Sequence, residues 1–140
     1  MIFHRRTNSN IPDTSKLEKF SKRLSIVENL CGVYDGSKWG FANLEGELVI
    51  PCKYELVGSH VNGYAPFFEN KKWGFLDTKG NIAIEPQFDS VSFFNDLGLA
   101  KVKNDGLWSA INARGTVIFS GKTKEQIDDL FNCIADTEEK

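Results

Sequence analysis

The sequence contains little of what metal sites and disulfide frameworks are built from. Its 140 residues include two histidines, three cysteines and one methionine. The cysteines, Cys31, Cys52 and Cys133, are odd in number and form no CxxC pair, which favours reduced thiols in a cytosolic compartment. Zinc sites need paired ligand spacings, and these dispersed side chains have none. We therefore predict no metal site and no cofactor.

Long apolar runs and an excess of one charge are also absent. No stretch approaches roughly eighteen consecutive apolar residues, so no membrane span is predicted. Residues 1–15 contain no apolar segment of the length that a secretory signal requires. The formal net charge of −2 indicates no polyanionic partner. We expect one cytoplasmic domain, since a chain of this length can bury a core without disulfides.

What the sequence does contain is a repeat with a period of 34 to 35 residues, aligned on Trp39, Trp73 and Trp108. Small and apolar residues recur at fixed offsets before each tryptophan, and a glycine stands seven positions after each one. A period in this range is typical of repeat architectures. The third copy is incomplete, so two full repeats and a partial one are predicted.

Within each copy the apolar pattern is that of short β-strands. In GNIAIEP, Ile82 and Ile84 alternate with small or polar residues. Asn43, Asp77 and Asn112 each precede a glycine by three positions, which a type I turn prefers. Each unit is therefore predicted to be an antiparallel hairpin. The glycine after the tryptophan is expected to be structural, because it lets another ring or backbone come close.

The period changes at both ends of the chain. Residues 11–29 and 122–140 each place apolar side chains at helical spacing behind a capping box, which in the second segment is formed by Thr123 and Gln126. We therefore predict an N-terminal capping helix over 11–29 and a C-terminal amphipathic helix over 122–140. Both helices are expected to cover the edges and apolar ends of the β array.

The predicted fold is mainly β, with about three antiparallel hairpin units in a repeat domain over residues 30–121. Residues 1–10 are expected to form a loose arm. The sequence leaves open whether the units form an open array, a propeller-like array or a closed one.

The strings KWGFANLEGELVIP, KKWGFLDTKGNIAIEPQFD and LGLAKVKNDG resemble the WG repeat, in which an aromatic-glycine pair, an Asx-to-glycine turn and a proline-plus-aromatic segment recur. The resemblance covers residues 30–121. It implies a bacterial or phage protein and an all-β array used in protein interaction, without catalytic residues to carry over. Ser109 in place of the usual glycine, the lost proline segment after Gly115 and the terminal helices depart from the pattern, and they indicate a compact standalone domain.

No constellation of residues for catalysis is apparent. His60 lies in a predicted surface loop without a nucleophile partner, Cys31 occupies a slot that alanine fills in the other copies, and Asp77 is explained by its turn. The basic N-terminal residues are expected to form a solvated helix face near the acidic C-terminal helix, so nucleic acid is not an expected partner. We predict that the protein is not an enzyme.

Two phenylalanine doublets, at residues 67–68 and 93–94, carry the prediction of a binding site. Adjacent strand residues point to opposite faces, so one ring of each doublet is a candidate interface anchor unless a second layer covers it. The candidate partner-binding residues are His60, Phe68, Lys71, Lys72, Phe94 and Asn95.

The predicted function is a non-catalytic protein-binding module. Its sharper form is a small inhibitor, of the immunity or anti-defence type, that covers the active site of a toxin or nuclease. The alternative is an enzyme or ligand-binding domain with a pocket on the repeat face. The sequence predicts neither the identity of the partner nor the oligomeric state.

Overall fold

Three four-stranded antiparallel sheets follow one another along the described part of the chain, and a helix comes after them. The computed structural model describes residues 13–139. The elements are β1 (Lys22–Val27), β2 (Leu30–Tyr34), β3 (Trp39–Ala42), β4 (Leu48–Tyr54), β5 (Leu56–Val57), β6 (Ala65–Glu69), β7 (Lys72–Leu76), β8 (Ile82–Phe88), β9 (Ser90–Val91), β10 (Leu99–Asn104), β11 (Leu107–Asn112), β12 (Val117–Lys122) and α1 (Lys124–Glu139). Each sheet is a meander: β1 to β4, β5 to β8 and β9 to β12. The prediction of a mainly β fold built from antiparallel hairpins is confirmed.

The sequence repeat and the sheets are out of phase. Each tryptophan lies on the third strand of its sheet, Trp39 on β3, Trp73 on β7 and Trp108 on β11. A segment that runs from one tryptophan to the next therefore contains the last two strands of one sheet and the first two of the following sheet. Each sheet is completed by residues from two repeats, which ties neighbouring sheets together covalently.

Two apolar cores lie between successive sheets and use equivalent positions. The first consists of Phe41, Ile50, Tyr54, Ala65, Phe67 and Leu76. The second consists of Phe75, Ile84, Phe88, Phe94, Ala100, Val102 and Ile111. Six of these seven follow their counterparts in the first core by 34 or 35 residues, and Phe94 is the addition. The period therefore encodes how one sheet packs on the next.

The glycine after each of the first two tryptophans lets the neighbouring strand pass close by. A Cβ atom on Gly40 would lie 2.5 Å from the carbonyl oxygen of Ile50 and 2.7 Å from the backbone nitrogen of Cys52. One on Gly74 would lie 2.7 Å from the backbone nitrogen of Pro86. Backbone atoms cannot move aside as a flexible side chain can, so glycine is required here by space, as expected.

Bulges in the fourth strands cause this close approach. In the first sheet Trp39 pairs with Tyr54 and Phe41 with Ile50, so three residues of β3 face five of β4. The second sheet has the same shift. In the third sheet Trp108 pairs with Lys122 and Ala110 with Phe119, so three residues face four. The smaller bulge coincides with Ser109, which carries a Cβ where the other two copies have glycine.

The predicted N-terminal helix over 11–29 is wrong for its described part. From residue 13 onward, the chain forms a 3₁₀ turn at Ser15–Leu17 and then strand β1. The predicted arm over 1–10, with residues 11 and 12, lies outside the described residues. Residues 22–27 form a strand rather than a helix because they pair with β2, and this pairing overrides the helical spacing of their apolar side chains.

The turn at Ser15–Leu17 still covers the outer side of the first sheet. Leu17 is buried and packs with Cys31, Val33 and Ala42. From residue 13 onward, the outer side of the first sheet is thus capped by a buried leucine on a short turn rather than by an amphipathic helix.

The C-terminal helix is confirmed. Its predicted capping box is formed, because the backbone N–H of Gln126 donates to Thr123 Oγ1 at 3.1 Å and the backbone N–H of Thr123 donates to Gln126 Oε1 at 2.9 Å. The helix packs on β11 and β12, with Ile127 fully buried. Lys101 Nζ lies 2.9 Å from Asp128 Oδ1 and ties the helix to β10. The helix therefore covers the outer face of the third sheet.

The predicted Asx-to-glycine turns are also present. The side-chain oxygen of Asn43 accepts hydrogen bonds from the backbone N–H groups of Glu45 (2.9 Å) and Glu47 (3.0 Å). Asp77 and Asn112 accept the two equivalent bonds in their own turns. These turns join the third and fourth strands of each sheet.

Candidate partner-binding surface

Two of the predicted partner-binding residues, His60 and Phe94, are buried. Each is 1% exposed. The ring centroid of His60 lies 4.6 Å from that of Phe41, and that of Phe94 lies 4.7 Å from that of Phe75. Both residues occupy the same position of the repeat, which faces an inter-sheet core, so neither can be a surface anchor. The exposed ring of the second doublet is Phe93, at 49%.

Asn95 has a structural role as a turn former. Its Oδ1 accepts hydrogen bonds from the backbone N–H groups of Leu97 (2.9 Å) and Leu99 (3.0 Å), and Gly98 closes the turn at φ +79°. This is a fourth Asx-to-glycine turn. The string NDLG carries the same spacing as the other three, so the sequence held the signal for it.

The other three predicted residues, Phe68, Lys71 and Lys72, lie together on the hairpin of β6 and β7. Phe68 is half-buried, with its ring centroid 5.1 Å from that of Trp73. Lys71 is exposed at the tip of the hairpin, and Lys72 Nζ lies 2.5 Å from Asp89 Oδ1. The six predicted residues therefore do not form one surface.

A groove of about 520 Å³ runs between the first and second sheets. Buried Tyr54 and Phe67, with ring centroids 5.2 Å apart, contribute to its wall. Burial, with a smaller contribution from Glu69, raises the pKa of Tyr54. The remaining lining residues are Lys53, Glu69, Asn70, Lys72, Ile82, Glu85 and Pro86. The charges of the two lysines and the two glutamates cancel, so the lining favours neither an anionic nor a cationic ligand.

One exposed aliphatic side chain occupies the same position in each of the three sheets. These are Leu48, Ile82 and Val117, which are 51%, 47% and 54% exposed. Their partners in the sheet register are equivalent. In chain order the pairs are Leu48 with Ala42, Ile82 with Leu76, and Val117 with Ile111. Leu48, Ile82 and Val117 thus hold one register position in three successive sheets, and we call these three side chains the apolar row. Ile82 also lines the groove.

The sequence did not predict that the apolar row is exposed, although its members recur nine positions after each tryptophan. Alternation along a strand separates two faces, but it does not tell which positions the next sheet will cover. Ile84, two residues after Ile82, is buried at 5% exposure, and only the stacking distinguishes the two.

The thiols of Cys31 and Cys52 are held in their neutral form. Burial raises the pKa of both, which makes them poor nucleophiles. Within residues 13–139, no cluster of three or more His, Cys, Asp or Glu side chains could hold a metal ion. In the same part of the chain, no helix has the length and apolar character needed to cross a membrane.

Comparison with known protein families agrees with the geometry. The family model described as the WG containing repeat matches residues 39–73 and 73–108. The two matches together span 70 of the 140 residues, half of the chain. The chain belongs to the WG-repeat family. Each WG match runs from one tryptophan to the next and so covers halves of two successive sheets. No curated protein matches this WG-repeat chain.

Proposed function

We propose that this WG-repeat protein is a non-catalytic protein-binding module whose contact surface is the apolar row. The observation that carries the proposal is the exposure of Leu48, Ile82 and Val117 at one register position of three stacked sheets. Val49 and Ile118, the residues that follow Leu48 and Val117, are exposed as well. Apolar patches of this kind mark interaction sites on proteins.

The stack holds the apolar row rigid. Each member lies on a strand whose neighbours are fixed by an inter-sheet core or a terminal cap, so little chain entropy is lost on binding. Covering the exposed part of one such side chain contributes about 1 kcal/mol. Three of them at a fixed spacing favour a partner with apolar side chains at the same spacing.

The sharper form of the proposal is an inhibitor of the immunity or anti-defence type, acting in the cytoplasm of a bacterium or of a phage-infected cell. A preorganised surface can cover the active site of a toxin or nuclease without a costly ordering step. An activity assay on the captured partner separates an inhibitor from an adaptor, because only an inhibitor lowers the partner's activity in proportion to the amount bound.

The groove between the first two sheets supports a second candidate, a ligand-binding domain. Its volume is in the range of small-molecule sites, and its wall combines buried aromatic rings with Lys53 and Glu85. A thermal-shift screen of small molecules tests it. A ligand whose stabilising effect is lost in Glu85→Ala but kept in Ile118→Ala, away from the groove, would favour this function over protein binding.

The primary test is affinity capture with the tagged chain, followed by calorimetry with the purified partner. We expect Leu48→Asp and Ile82→Asp each to weaken binding about tenfold or more, because each places a charge in a desolvated contact. Phe93→Asp is the matched control, since Phe93 is equally exposed but lies outside the apolar row, and it should bind as the wild type does. Thermal melts confirm that each variant is folded.

Two results would contradict the proposal. One is the absence of any stoichiometric partner at every salt concentration tried. The other is a partner that binds Leu48→Asp, Ile82→Asp and the wild-type chain equally well.

A further inference from the structure

The edge strands of the three sheets differ in how they are protected from pairing with another chain. An exposed edge presents unpaired backbone N–H and C=O groups, and proteins block such edges by short length, proline or charge. β5 and β9 have two residues each. β4 and β8 contain Pro51 and Pro86, and β1 begins with Lys22 and Arg23. These features protect five of the six edges.

The sixth edge, β12, is the least protected, since its only such features are its register shifts with β11 and a lysine at its last residue. It has six residues and no proline, and Val117 and Ile118 are 54% and 46% exposed. The backbone of Thr116, just before it, faces inward: its N–H donates to Asn112 Oδ1 at 3.0 Å, and its carbonyl oxygen accepts from the Asn112 N–H at 3.0 Å. Backbone groups alternate in direction along a strand, so those of Val117 face outward. The edge can therefore accept a further strand.

The charged residues at the two ends of β12 are cationic. Residues 106–124 contain Arg114, Lys122 and Lys124 and no acidic residue. On the neighbouring helix, Asp128 pairs with Lys124, and Asp129 lines the same groove as Lys122. Arg114 is exposed before the strand, and Lys122 is its last residue. Two copies of β12 paired antiparallel would bring four of these cations to one shared edge, and like charges in a strand pair are destabilising. The charge favours an acidic segment over a second copy.

A groove of about 290 Å³ lies at the C-terminal end of β12. It is lined by Lys122 from the strand and by Gln126, Asp129, Leu130 and Cys133 from α1. A strand added along β12 would pass this groove, which has room for one of its side chains. In strand addition the backbone supplies affinity and such pockets supply specificity.

We propose that β12 accepts an extended segment of a protein partner as a fifth strand of the third sheet. The segment alternates apolar and polar residues and carries acidic residues at its ends. The proposal rests on the protein-binding function proposed above and names the contact that one part of the partner makes. Val117 belongs to both the apolar row and the β12 edge, so the two surfaces are continuous.

The test uses a synthetic nine-residue peptide in which three valines alternate with two threonines between pairs of glutamates. It is titrated into the full chain while amide NMR shifts and hydrogen exchange are recorded. We expect shifts centred on β12 and slower exchange of the Val117 amide. A peptide N-methylated at alternate residues should bind about tenfold more weakly or worse, because it lacks the donors of the ladder.

Two matched changes separate backbone pairing from charge. A peptide with lysines in place of the glutamates should bind about tenfold more weakly at low salt, and the difference should shrink as salt screens it. Val117→Pro removes the outward N–H, whereas Val117→Thr keeps it with a side chain of similar shape. Only the proline variant should lose the peptide. If that variant fails to fold, the N-methylated peptide still tests the backbone contact on the wild-type chain.

Three outcomes would overturn the assignment of β12. The first is that the N-methylated peptide binds as tightly as the unmodified one. The second is that the amide NMR shifts are confined to β4 and β8. The third is that the unmodified peptide does not bind even at millimolar concentration. Protection of β12 through self-association without peptide would assign the edge to a second copy and would overturn it too. If the peptide does not bind but Ile82→Asp still weakens binding of the captured partner, only this inference is lost. If no partner is captured, the proposed function itself fails.

Discussion

His60 departs from the repeat pattern of this WG-repeat chain, because it places a polar ring at an apolar position. It occupies a core position that Ile26 and Phe94 fill in the neighbouring copies. Its Nε2 lies 2.8 Å from the carbonyl oxygen of Asp77, while its buried Nδ1 has no hydrogen-bond partner among residues 13–139. Burial lowers the pKa of His60, and the Asp77 carbonyl together with the charges of Glu28 and Asp77 only partly opposes this.

We predict that His60 makes folding sensitive to mild acid. The pKa is lower in the folded than in the unfolded state, so its contribution to stability is present above the unfolded value of about 6.5 and is lost as the pH falls below it. Urea unfolding of the wild type should give a smaller free energy of unfolding at pH 5.5 than at pH 7. His60→Phe should remove that difference.

The carboxylates Asp77, Asp89 and Asp128 cannot account for such an effect. Their pKa values are lowered below the ordinary 3.8, so they stay ionised between pH 5.5 and 7 and lose their contribution only in stronger acid. An equal pH dependence in wild type and His60→Phe would show that another group titrates in this window.

At the scale of the element, the place of a segment in the repeat decides whether it forms a strand or a helix, even where its apolar side chains have helical spacing. Phe20 and Ile26 precede Trp39 by 19 and 13 residues, and Tyr54 and His60 precede Trp73 by the same intervals. The segment predicted to be a helix is thus a degenerate half-repeat, and it forms β1. Its helical spacing was a local signal, whereas the ladder with β2 is a tertiary one.

We predict that Gly74→Ala destabilises the second sheet by about 2 to 3 kcal/mol, since the added Cβ would overlap the backbone of β8. Ser109→Ala is the matched control, because the third sheet already accommodates a Cβ there, and it should change the free energy of unfolding by less than about 1 kcal/mol. Both values come from urea unfolding. A Gly74→Ala protein as stable as the control would show that the bulge can shift freely.

At the scale of the whole molecule, stability depends on covering the two ends of the stack. A sheet inside the stack buries both faces against neighbours, whereas a terminal sheet needs a cap. Leu17 covers one end, and α1, through Ile127, covers the other. Ala110, fully buried on β11, points away from the inter-sheet core that contains Ile111, so it lies on the face that α1 covers.

We predict that Ile127→Asp detaches this cap. Burying an unpaired carboxylate costs about 3 kcal/mol or more, so the helix should leave the sheet, and the uncovered face should cause self-association visible by sedimentation velocity. Asn132→Asp adds the same charge at an exposed position of the same helix and should remain monodisperse. An Ile127→Asp chain with unchanged melting temperature and sedimentation would show that the third sheet does not need its cap.

The sequence by itself determined the repeat period, the hairpins, the turns at Asn43, Asp77 and Asn112, and the capping box of α1. These are local features, since each depends on residues within a few positions or on recurrence at a fixed interval. Only the tertiary structure decided that β1 replaces a helix, that His60 and Phe94 are buried, and that the apolar row and the β12 edge are exposed. The physical reason is that strand alternation specifies two faces, while the neighbouring sheet decides which of them water reaches.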